Sequence, residues 1–112
     1  MKKIIEKICK ELDIAVSRHK NENCYEYTFS KFVNDYDFNF YVIIKEDDID
    51  SFVEELENVY ESYDPDEETA LWIGEDGHGK RGAPYHLRDI LETMEECEKE
   101  IKKLLDKVKE YE

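Results

Sequence analysis

Glycine and proline are nearly missing from this chain of 112 residues, which has four of the first and two of the second. All four glycines, Gly74, Gly77, Gly79 and Gly82, fall in one short stretch. The remainder has no linker-like composition, no low-complexity segment and no internal repeat, so a single domain over residues 1–112 is expected. Long apolar runs are absent too. The longest is Phe40 to Ile44, far short of the ~20 residues that span a bilayer. Met1-Lys2-Lys3 leads into mixed charge and lacks the apolar core of a secretory signal. The cysteines, Cys9, Cys24 and Cys97, are odd in number and widely spaced. They offer no CxxC and no Cys/His pairing for zinc. A reducing, cytoplasmic setting is expected. Cys9 and Cys97 lie near the apolar stripes of their segments and read as core residues.

Basic residues are scarce: 16 against 30 acidic ones, for a formal charge of -14. Eight Tyr, five Phe and one Trp argue against a disordered acidic chain, which is usually poor in aromatics. The imbalance is local. Residues 1–20 carry six bases and three acids, residues 21–76 two bases and eighteen acids, and residues 77–112 eight bases and nine acids. The central field repels nucleic acid and anionic membranes and attracts basic proteins.

Periodicity supplies the elements. Ile4, Ile5, Ile8 and Leu12 recur at helical spacing, predicting a helix over about 2–12. Ile14, Val16 and Arg18 begin an alternating pattern, and Asn21-Glu22-Asn23 reads as a turn. Tyr25, Tyr27 and Phe29 alternate with more polar residues as a half-buried strand. After a second turn at Asn34-Asp35, Phe38, Phe40, Val42 and Ile44 share one face of a third strand, and Asn39, Tyr41 and Ile43 the other. A helix over about 48–62, capped by Asp47 or Asp48, carries Ile49, Phe52, Val53, Leu56, Val59, Tyr60 and Tyr63. Pro65 and its acids end it, and Ala70-Leu-Trp-Ile73 reads as a short fourth strand or a buried turn. A last helix over about 86–110 buries Leu87, Ile90, Leu91, Met94, Ile101, Leu104, Leu105 and Val108, with Lys and Glu alternating outside. The expected fold is α+β: a three-stranded antiparallel sheet with helices on one face, in the order α-β-β-β-α-α. The last helix could also pair with a second copy as a homodimer.

Few motifs carry chemistry. Gly74 to Lys80 has the G-x-x-x-x-G-K spacing of a phosphate loop, but Arg81 stands where Ser or Thr should hold magnesium. Glu75 and Asp76 would repel phosphate, and Pro84 interrupts the approach to the helix. The stretch reads instead as an ordered connection, with His78, Lys80 and Arg81 able to touch a partner. Asp64-x-Asp66-x-Glu68 lacks the glycine and the spaced glutamate of a calcium loop. His19, His78 and His86 have no triad-like or metal-like spacing. The expectation is no catalysis, no metal and no cofactor.

The strongest signal is the acidic tract itself. Asp47, Asp48, Asp50, Glu54, Glu55, Glu57 and Glu61 lie on or before the second helix, and Asp64, Asp66, Glu67 and Glu68 extend it. Glu54, Glu57 and Glu61 would form a like-charged column at helical spacing, which costs a few tenths of a kcal/mol per pair. These acids are the candidate contact residues for a basic partner. The segment Ala70-Leu-Trp-Ile-Gly-Glu-Asp-Gly-His-Gly-Lys-Arg-Gly-Ala-Pro-Tyr85 and the helix after it resemble the C-terminal half of small acidic proteins from low-GC bacteria, phages and mobile elements. That resemblance implies no activity, but it points toward counter-defence or accessory roles. The resulting expectation is an acidic inhibitor, a DNA mimic of the anti-CRISPR or anti-restriction type, that occupies a nuclease or other nucleic-acid-binding protein. An immunity protein or antitoxin for a basic toxin, or a plain oligomerisation module, are the alternatives.

Overall fold

In a computed structural model of the chain, which describes residues 1–73 and 87–112, the expected α+β class is found. Helix α1 (Lys2–Glu11) leads into strands β1 (Ala15–Lys20), β2 (Tyr25–Val33) and β3 (Tyr36–Ile44), followed by α2 (Ile49–Ser62), α3 (Pro65–Ile73) and α4 (Leu87–Lys109). The strands form an antiparallel meander in the order β1-β2-β3.

Local chemistry sets the joints. Helix α1 ends in a double-bonded C-cap: the Ile14 N–H donates to the Cys9 carbonyl and the Asp13 N–H to that of Lys10. Asp13 supplies the left-handed residue, at φ 58°, that such a cap requires. The β2–β3 hairpin turns on Asn34 and Asp35, at φ 51° and 67°. Positive φ at both central residues matches the turn to the twist of the strands. Val33 then pairs with Tyr36, and an unbroken register runs to Tyr25 opposite Ile44.

That register fixes the faces. Tyr27, Phe29, Phe38, Phe40, Val42 and Ile44 are buried on one side, and Asn39, Tyr41 and Ile43 are exposed on the other. On the buried side α1 packs on β1, α4 against β2 and α2 on β3. Phe52 of α2 meets Tyr27 edge-on at 5.4 Å and Phe29 at 6.1 Å. Phe29 stacks on Phe40 at 4.9 Å between ring centres. Ile5, Ile8, Leu56, Ile101, Leu104, Leu105 and Val108 complete this core.

Two expectations need correction. Residues 70–73 are neither strand nor turn but the end of α3. Pro65 stops α2 and also opens α3, where a missing N–H costs nothing. Asp64 caps α3, its carboxylate accepting from the Asp66 N–H at 3.0 Å. On α4 the alternation holds only in the C-terminal half, where Lys99, Lys102, Lys103, Lys107 and Lys109 are mixed with Glu100 and Asp106; before them Asp89, Glu92, Glu95, Glu96 and Glu98 stand against Arg88 alone. Of the apolar stripe of α4, Ile90, Met94, Ile101, Leu104, Leu105 and Val108 are buried within the chain and Leu91 is half-buried.

Candidate interaction surface

The acidic tract does not form one column. Asp47 is half-buried, its carboxylate held by Arg18 at 2.8 Å and by the Tyr27 hydroxyl at 2.7 Å. Arg18 also lies 4.5 Å over the Tyr25 ring. These contacts tie the start of α2 to β1 and β2. Burial first, and then the Asp47 carboxylate, push the Tyr27 phenol above its ordinary range. Asp48 is the N-cap of α2, accepting from the Ser51 N–H at 2.8 Å. Glu57 pairs with Lys109 of α4 at 3.0 Å, and Lys102 sits 5.6 Å from the Tyr60 ring. The central flank of α2 therefore faces the lysine half of α4, and Glu54, Glu57 and Glu61 are not an uninterrupted stripe.

The remaining acids separate by element. Asp50, Glu54 and Glu61 are exposed on α2, and Glu55 is half-buried. Asp66 and Glu67 are exposed in the first turn of α3, where carboxylates suit the helix dipole. Burial first, then Glu67 and Asp64, raise the Glu68 carboxyl above its usual range. His78, Lys80, Arg81 and the glycine-rich stretch 74–84 lie outside the described residues.

Sequence reading missed the other half of the surface. Helix α3 packs on α4, and the Tyr63 hydroxyl just before it reaches the Met94 sulfur at 3.5 Å. The acids of α3 thus share an arm with the acidic half of α4. Residues 64–73 and 87–98 together hold nine acids and one base, Arg88. Among the described residues one of these acids is in an ion pair, Glu96 with Lys99 at 3.0 Å. A separate count of the two halves of α4 would have exposed this charge.

The body handles charge differently. Glu100 is buried, yet it accepts from Lys31 at 3.0 Å and Lys103 at 3.2 Å. Lys31 also caps the Leu12 carbonyl at 2.9 Å. Pairing on both oxygens offsets the cost of burying this carboxylate.

Chemically the described surface is a set of carboxylates on rigid helices. No group of His, Cys, Asp or Glu among the described residues is arranged to hold a metal ion. No described helix is long and apolar enough to cross a membrane. Fold and surface define an α+β domain whose three-stranded meander is covered by helices on one face, with an acidic helical arm. No protein-family model, curated protein or solved structure matches this chain.

Proposed function

We propose that this chain is a non-catalytic acidic binding protein whose helices present carboxylates in place of nucleic-acid phosphates to a basic protein. The carrying observation is the sorting of charge. In the body, Asp47, Glu57 and Glu100 are paired and Asp48 is a cap, although Glu54, Glu55 and Glu61 of α2 are in no ion pair among the described residues; on the α3–α4 arm, Asp66, Glu67, Glu92, Glu95 and Glu98 likewise have none, and no lysine stands among them. Unpaired like charge on a folded helix costs stability, and a basic groove would recover that cost. Such a field speeds encounter with a positively charged site and excludes DNA from it. The partner class is a nuclease, another nucleic-acid-binding protein or a basic toxin, held in a reducing, cytoplasmic setting. Direct contact with nucleic acid or an anionic membrane is disfavoured by the same charge.

The test is retention of host and phage proteins on the tagged chain at about 50 mM salt, then release as salt rises to about 500 mM, where screening shortens to a few Å. A retained basic protein that duplex DNA displaces supports the reading. Reversal of Asp66, Glu67, Glu95 and Glu98 to lysine should then abolish retention. Unchanged retention by that variant, correctly folded by circular dichroism, would sink the proposal.

A further inference from the structure

β3 is the outer strand of the sheet, paired among the described residues with β2 alone. An outer strand presents a row of unpaired N–H and C=O groups, which proteins usually blunt with lysine, proline or a bulge. β3 has none of these: its one charge is Asp37, it contains no proline, and its register with β2 is unbroken. At its C-terminal end a groove of about 500 Å³ opens between the strand and α2. Ile43, Ile44 and Lys45 line it at the end of the strand, and Glu46, Glu54 and Glu55 on the way to and along the helix, three acids against one lysine. Ile43 is 53% exposed, and Tyr41 beside it on the open face is 54% exposed. Glu54 and Glu55 have no cationic partner among the described residues.

We propose that this groove takes an extended, basic segment of the partner protein by strand addition to β3. The inference rests on the reading above that the partner is basic, and it names where and in what conformation one of its segments sits. Main-chain hydrogen bonds to the strand edge supply affinity without demanding a sequence. The period of two in an added strand sends alternate side chains to opposite faces. One set lies beside Tyr41 and Ile43, where apolar side chains fit. The other lies against α2, where Glu54 and Glu55 select lysine or arginine. A second copy is a poor occupant: antiparallel pairing of β3 with β3 about a two-fold axis puts both α2 helices on the same face, bringing their carboxylates to one seam.

The probe is a peptide of alternating valine and arginine, added to the isotopically labelled full chain. Amide resonances of Tyr36–Ile44 should shift, and those of β1 should not. Cys24 lines the groove and is half-exposed, whereas Cys9 and Cys97 are buried. Its alkylation by iodoacetamide should slow about tenfold at peptide concentrations about ten times Kd. The same peptide N-methylated at alternate residues, or carrying glutamate for arginine, should give neither effect. Glu54→Lys with Glu55→Lys, both on the helix surface, should abolish binding with the thermal midpoint retained. Equal binding by the N-methylated peptide, or by that variant, overturns strand addition, as does silence of the β3 amides. A chain that fails this test but still retains a basic protein in a salt-sensitive way loses the strand-addition inference alone. A chain that also retains no basic protein loses the broader reading with it.

Discussion

The two halves of α4 share one helix but not one environment. The C-terminal half buries Ile101, Leu104, Leu105 and Val108 in the core cluster under the sheet. Its lysines answer carboxylates on their own helix and on α2. The N-terminal half buries Ile90 and Met94 outside that cluster, packs on α3 and carries the acids. In one half charge is spent on holding elements together; in the other it is left facing outward. On the proposed function, stability and recognition fall to different stretches of the same helix, and each change below should act on one of them.

The largest contrast is in packing. Phe52 is fully buried where three aromatic rings meet, and Phe52→Ala should cost about 3–5 kcal/mol. Leu71 on the arm is 57% exposed, and Leu71→Ala should move stability by no more than about 0.5 kcal/mol. Urea unfolding of both variants measures the difference. Comparable losses would mean the arm is as tightly built as the body.

Next comes the buried carboxylate. Asp47→Ala strips both Arg18 and Tyr27 of their partner, and the loss of charge-assisted bonds at a half-buried site should cost about 2 kcal/mol. Asp47→Asn keeps an acceptor for Tyr27 and should cost less. Glu67→Gln on the arm should cost nothing in stability while weakening retention of a basic partner. A Glu67→Gln chain less stable than Asp47→Ala would reverse the assignment of roles.

Alkaline pH tests the body and its junction with the arm together. Burial pushes the Cys9 and Cys97 thiols from 9.0 up to about 12. Because the folded state holds those protons more tightly, their contribution is intact below about pH 9 and lost as pH rises through 12. The urea midpoint should therefore fall between pH 8.5 and about 10.5, and Cys97→Ala should fall less steeply. At pH 8 iodoacetamide should modify Cys24 alone in the folded chain.

The legible parts of the molecule were those governed by short periods. The alternation from Tyr25 to Ile44 fixes which side chains face the helices, and Asn34-Asp35 fixes the hairpin. Periodicity hides helix α3 because Pro65 ends the stripe of α2, although Asp64-Pro65 followed by three acids is also a helix start. The candidate surface was harder to see. Asp48 and Asp64 are consumed as caps, which sequence can suggest; Asp47 finds Arg18 across 29 positions, which it cannot. The contribution of α4 to the arm also depends on tertiary packing, which brings Glu95 and Glu98 into the same arm as α3.

The smallest effect is the sharpest test of whether the arm's charge is a cost that function retains. Glu68 is partly buried, beside Glu67 and one helical turn from Asp64, and burial followed by those two carboxylates raises its pKa. A carboxyl with a raised folded pKa contributes its full stability below the ordinary value, and loses it as pH climbs through the folded one. At pH 7 Glu68 is therefore a net burden. Glu68→Gln removes one like-charge pair at helical spacing, so it should add about 0.5 kcal/mol and raise Tm by about 2 °C. At pH 4, where the native carboxyl is already largely protonated, the gain should vanish. Glu57→Gln, which takes a partner from Lys109, should shift Tm slightly in the other direction at pH 7. If both substitutions stabilise, the acids of body and arm are equally unpaired, and the division along α4 does not hold.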